Sequence, residues 1–110
     1  MKIHKKYEHH SKGTFYYGKR EEIPLRINLS SFSSIKMADP LHFHKKSTQF
    51  FLVVEGEITL EVNGKSVTLS KDNLLEIVPK EKYRVRRVKK GSKYVVIGTK
   101  NAEGDRVEVY

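Results

Sequence analysis

Residues 57 to 70 read EITLEVNGKSVTLS, and this stretch restricts the fold more than any other in the chain. Ile58, Leu60 and Val62 alternate with Glu57, Thr59 and Glu61, the period of two that gives a strand one dry face and one wet one. Asn63 and Gly64 supply the positive-φ pair of a tight hairpin turn, and Val67 and Leu69 resume the alternation on the return. The segments LLEIV, YRVRRV, KYVVIGT and RVEVY read as further short strands, separated by turn residues and without a helical period. Upstream, TFYYGK and IPLRINLSSFSSI suggest two more, with Pro24 at the start of the second, where a missing N–H does least harm. Short strands at regular spacing predict an all-β sandwich or barrel.

With 110 residues and no linker-like or repeated stretch, residues 1–110 are expected to form one domain. Residues 1–13 are either an added edge strand or a flexible segment. The N-terminal stretch MKIHKKYEHHSKG is charged and lacks the apolar run of a signal peptide, and no segment reaches the apolar length of a membrane span. A cytoplasmic protein without membrane contact is the expectation. Cysteine is absent, so disulfides and thiolate metal sites are excluded.

One strand breaks the alternation. In QFFLVV, residues 49 to 54, Phe51 and Val53 share a side with Gln49 while Phe50, Leu52 and Val54 make the opposite side equally apolar. Two dry faces need two covering layers. The outer cover is either the N-terminal strands folded over it or a second subunit, and a homodimer is the expected state.

The balance of charge is basic, 22 Lys plus Arg against 13 Asp plus Glu, and eight of the basic residues fall in KEKYRVRRVKKGSK, residues 80 to 93. Such a segment is either a solvated strand and turn or a face for anions, on nucleic acid or on a small metabolite. Phe15, Tyr16 and Tyr17 read as packing residues, although tyrosines beside a basic strand would also suit a single-stranded nucleic acid.

The residues that bear on chemistry lie in PLHFHKKSTQFFLVVEG, residues 40 to 56. On a strand, His42 and His44 project from one face, about 7 Å apart along the backbone, and can converge on one point. The polar connector KKST then leads to Gln49, which a hairpin-like turn would bring back to the pair.

His42, His44, Gln49 and Gly56 together resemble the first motif of the cupin superfamily, in which His-x-His is followed by a glutamate and then a glycine. The resemblance covers roughly residues 40 to 98 and implies a cupin-type β-barrel, the double-stranded β-helix or jelly roll. Where the second motif would carry Gly, Pro, Gly and His, this chain has Asp72, Val78, Lys80 and Tyr83. Cupin metals (iron, manganese, nickel or zinc) usually sit on three histidines and a glutamate. Here the implied set is His42, His44 and Gln49, with Tyr83 in place of the last histidine. An amide oxygen is a weak ligand and a phenol must lose a proton with a pKa near 10, so a divalent metal is expected to bind weakly. The string His42-x-His44-Lys45-x-x-x-Gln49 is also similar to the signature of small cupins that isomerise nucleotide-linked keto sugars without a metal, although Pro40-Leu41 replaces the Arg-Gly common there. That similarity implies His44 and Tyr83 as catalytic residues, with a histidine as the proton-shuttling base.

Three functional readings follow. The leading one is a small cupin that binds a polar, anionic metabolite such as a sugar phosphate or nucleotide-linked sugar, with isomerase or epimerase chemistry. The others are a non-catalytic ligand-sensing or structural cupin, and a nucleic-acid-binding barrel that uses residues 80 to 93. Alternation from Tyr83 sends Val85 and Arg87 into the cavity, which makes Arg87 the expected anchor for the ligand's charge, unless a bulge turns it to solvent.

Overall fold

The computed structural model describes residues 1–8, 13–17, 24–31, 39–100 and 104–110. These form β1 (Lys6–Glu8), β2 (Thr14–Tyr17), β3 (Arg26–Ser31), β4 (His42–His44), β5 (Gln49–Glu55), β6 (Glu57–Val62), β7 (Lys65–Ser70), β8 (Leu74–Ile77), β9 (Tyr83–Val88), β10 (Lys93–Gly98) and β11 (Arg106–Glu108). Two antiparallel sheets result, one ordered β1-β2-β3-β10-β5-β8 and the other β11-β4-β9-β6-β7. The hairpin read from Asn63-Gly64 is β6–β7, paired from Glu57↔Ser70 to Val62↔Lys65, with Asn63 and Gly64 both at positive φ. Among the described residues no helix is long and apolar enough to cross a membrane.

The inward faces of the two sheets make one core. Phe51, Val53, Ile77 and Tyr94 come from the first sheet, and Ile58, Leu60, Leu69, Tyr83, Val85 and Val88 from the second. Alternation places all of them but Val88, because each strand contributes side chains two apart to the same side, whereas Val88 follows Val85 by three residues.

Two expectations need correction, and one of the two covers offered for β5 falls away. The N-terminal strands do not fold over the outside of β5. They extend its sheet edgewise through β10, and β1 is the outermost strand, so Phe50 and Leu52 stay half-buried and Val54 is 40% exposed. Gln49 does not return to the histidines through a hairpin, because β4 and β5 belong to opposite sheets and the KKST connector crosses between them. Arg87 does not enter the barrel. A bulge in β9 lets Thr59 pair with Arg87 and Leu60 with Val85, so the inward side restarts at fully buried Val88 while Arg86 and Arg87 are both exposed.

Candidate active site

A cavity of about 640 Å³ lies between the sheets. His42 and His44 of β4, Tyr83 of β9 and Gln49 of β5 all line it, so the structure brings together four of the five residues singled out in the sequence and leaves out only Arg87.

The histidines are held by partners that fix their tautomers. His42 Nδ1 lies 2.8 Å from the Pro40 carbonyl oxygen, which can only accept, so Nδ1 carries the proton and donates it. His42 Nε2 therefore holds a lone pair, and no protein partner meets it among the described residues. His44 Nδ1 is 3.2 Å from the Asp105 carboxylate and donates to it. Its Nε2 then accepts from the Tyr83 hydroxyl at 3.0 Å. Asp105 is itself anchored, its other oxygen accepting the Lys46 N–H at 2.8 Å. His42 pairs with Tyr83 across β4 and β9, and their rings stand 4.3 Å apart between centroids.

Burial sets the protonation of this group. Desolvation holds His44 down to about 4, aided by neighbouring His42 and outweighing the pull of Asp105. Burial likewise lowers His42, with Arg106 and Arg26 adding to it against the Pro40 and Asp39 interactions. Burial raises the Tyr83 phenol well above its ordinary value, so it keeps its proton. A neutral buried imidazole links stability to acid. Between His44's ordinary 6.5 and its folded value near 4, the unfolded chain takes up a proton that the folded chain refuses, so stability falls as pH drops through that window. The full loss is on the order of 3 kcal/mol for this one group. Urea unfolding at pH 7, 5.5 and 4 should show a falling midpoint, and a flat profile would refute the neutral assignment.

The second wall of the cavity was not legible in the motif. Tyr16 of β2 and Arg26 and Asn28 of β3 line it, and Arg26 donates to the Tyr16 hydroxyl at 2.7 Å. Asp39 and Arg106 complete the opposite rim, joined at 3.3 Å, and Asp39 also accepts the Val85 N–H at 2.9 Å. Gly98, beside Gln49 on β10, leaves room for the Gln49 amide, which would come within 2.8 Å of any Cβ there and which donates to Ser47 Oγ. Asp105 is 61 residues from its histidine, and Arg26 carries no motif of its own.

These donors do not fit a resident divalent metal. Among the described residues no three His, Cys, Asp or Glu side chains cluster as a ligand set. His44 Nε2, the nitrogen facing Tyr83, is occupied by a hydroxyl that keeps its proton. His42 and an amide remain, too few and too weak for a stable site. On the barrel's outer surface, Arg84 and Arg86 of the basic segment converge on Glu61 at 3.0 and 3.3 Å, which partly neutralises the face a phosphate backbone would need.

Several solved structures share this architecture. Pac13 from Streptomyces, described as a unique nucleoside dehydratase, matches with a TM-score of 0.70 at 15% identity, over 96% of this chain and 84% of that one. KdgF from Halomonas sp. matches with a TM-score of 0.69 at 15% identity, over 93% and 90% of the two chains. A cupin protein from Bacteroides fragilis matches with a TM-score of 0.67 at 16% identity, over 100% and 92%. At such identities the likeness shows the fold alone. No curated protein sequence matches the chain. The family model of the cupin domain matches residues 35–98, the span that holds both histidines, Gln49 and Tyr83, and on that match the chain belongs to the cupin-domain family.

Proposed function

We propose that this protein is a metal-independent acid–base enzyme whose barrel binds a polar, anionic metabolite of the sugar phosphate or nucleotide-linked sugar type and moves a proton on it, as an isomerase or epimerase does. The observation that carries this reading is the orientation of His42. Its Nδ1–H is tied to the Pro40 carbonyl, so the Nε2 lone pair is the one left for a ligand in the cavity. A base must be neutral before it acts, and burial keeps His42 so at pH 7. His42 Nε2 would take a proton from a carbon beside a carbonyl and return it to a neighbouring position. Negative charge on the bound substrate would be offset by Arg26, which lines the same cavity.

His44 has a different part in this scheme. Both of its nitrogens are engaged, so it fixes the Tyr83 hydroxyl instead of touching substrate itself. Tyr83 remains a cavity-facing group whose position Asp105 and His44 define. The nucleoside dehydratase, variants of which were solved with uridine, supports the idea that a barrel of this shape can take a nucleoside-sized molecule.

The test is proton NMR in D2O with nucleotide-linked keto sugars, keto-sugar phosphates and uronates. Loss of a C–H signal next to the carbonyl, at an unchanged rate after chelator treatment, is the expected result. Elemental analysis of protein purified without an affinity tag should find iron, manganese, nickel and zinc far below one per chain. Stoichiometric metal that survives dialysis, or exchange that stops with chelator, would sink the metal-independent reading.

The half-buried outer side of β5, together with exposed Leu74 on edge strand β8, is the surface we assign to a second copy of the chain. Sedimentation should give twice 12.8 kDa at micromolar concentration, and a monomer there would reject the dimer.

A further inference from the structure

Among the described residues two arginines line the cavity, and their surroundings differ. Arg106 faces Asp39 at 3.3 Å and Glu108 at 3.9 Å, so two carboxylates offset its charge. Arg26 has no carboxylate within ion-pair distance among the described residues. Its guanidinium lies over the Tyr16 ring, 5.1 Å from the centroid, and donates to the Tyr16 hydroxyl at 2.7 Å. A phenol restrains an arginine without neutralising it. The side chain is thus held in place while donors remain for an acid group.

The neighbours of Arg26 point the same way. Gly98 pairs with Arg26 on one side and with Gln49 on the other, so no side chain stands between those two across about 10 Å of sheet. Two residues along β3, about 7 Å away, is Asn28, also in the cavity lining. Its Oδ1 is the one buried side-chain polar atom among the described residues that lacks a hydrogen-bond partner. An acceptor in that position calls for a donor from outside the protein.

We infer that Arg26 grips the acid group of the ligand and Asn28 accepts a hydroxyl or N–H from its body, which makes the cavity selective for a sugar-sized molecule bearing a carboxylate or phosphate. The inference rests on the reading that the barrel takes an anionic metabolite, and it goes further by assigning selectivity to β3. That strand lies outside the span matched by the cupin-domain family, residues 35–98. Guanidinium suits either acid, since both offer two oxygens to its planar donors.

The experiment is a binding titration, by calorimetry and by amide NMR, of three neutral and anionic pairs: galactose and galacturonate, glucose and glucose 6-phosphate, uridine and uridine 5′-monophosphate. In at least one pair the anion should bind about tenfold or more tightly than its neutral partner, with shifts at Gln49, Phe51 and Tyr83, and the pairs separate a carboxylate from a phosphate source. Arg26→Gln should remove that preference, whereas Arg87→Gln on the outer surface should leave it intact. Should Arg26→Gln fail to fold, Arg26→Lys, which keeps the charge but not the fork, should lose part of the preference. Equal losses in the Arg26 and Arg87 variants would overturn the inference in favour of a diffuse surface field. Neutral and anionic members that shift the cavity residues equally would overturn it while sparing the cavity reading. No cavity shifts with any of the six would reject both.

Discussion

His42→Gln is expected to slow solvent exchange of the substrate C–H by about 100- to 10,000-fold, the range over which a positioned general base acts. Glutamine keeps much of the volume of a side chain that is 2% exposed, so the fold should survive and circular dichroism should match the parent. His44→Gln should be milder, because His44 acts through Tyr83, and Tyr83→Phe should lie between the two. The pH profile supplies a second check. Since burial holds His42 below 6.5, the parent rate should persist below that pH and fall only when the buried imidazole finally charges. Unchanged exchange in His42→Gln would remove the base from the scheme.

Gly56→Ala is expected to cost about 3–5 kcal/mol, enough to unfold a marginal domain. Gly56 sits at φ +80, where a Cβ is strained, and a Cβ there would collide with Ser92 Oγ and stand 2.9 Å from the Ser92 Cα. Ser92 cannot rotate away. It is fully buried, accepts the Glu57 N–H at 2.9 Å and donates to the Glu57 carbonyl at 3.1 Å. Gly64→Ala is the control, for it shares the positive φ of +81 but has nothing within 4 Å of its Cβ, and about 1 kcal/mol is expected there. Similar losses in urea unfolding of the two variants would show that backbone strain, and not the approach of Ser92, explains the glycine. The motif position of Gly56 is therefore a matter of packing between turns.

Strands were easy to read because alternation is local. The expected segments EITLEV, KSVTLS and YRVRRV coincide with β6, β7 and β9. The bulge in β9 was legible only as an alternative: Val88 breaks the alternation set by Tyr83 and Val85, but nothing in YRVRRV says whether an extra residue is present or which one it is. Half of the candidate site was legible for a similar reason: His42, His44, Gln49 and Gly56 lie within one short stretch and share a pattern. Asp105 and Arg26 carried no such mark. Their roles depend on pairings between distant strands, β11 with β4 and β3 with β10, which no spacing rule relates.

The sheet order has a consequence for how the chain is made. β3 has β2 on one side and β10 on the other, and its partner Ile97 lies far along the chain from Ile27. During synthesis from the N-terminus, the β2–β3 hairpin must wait, with one edge open, until the ribosome has delivered β10, and β11 with Asp105 comes later still. The pocket is thus completed late, and a nascent chain that stops short of β11 has His42 beside its Pro40 carbonyl but no Asp105 to aim His44.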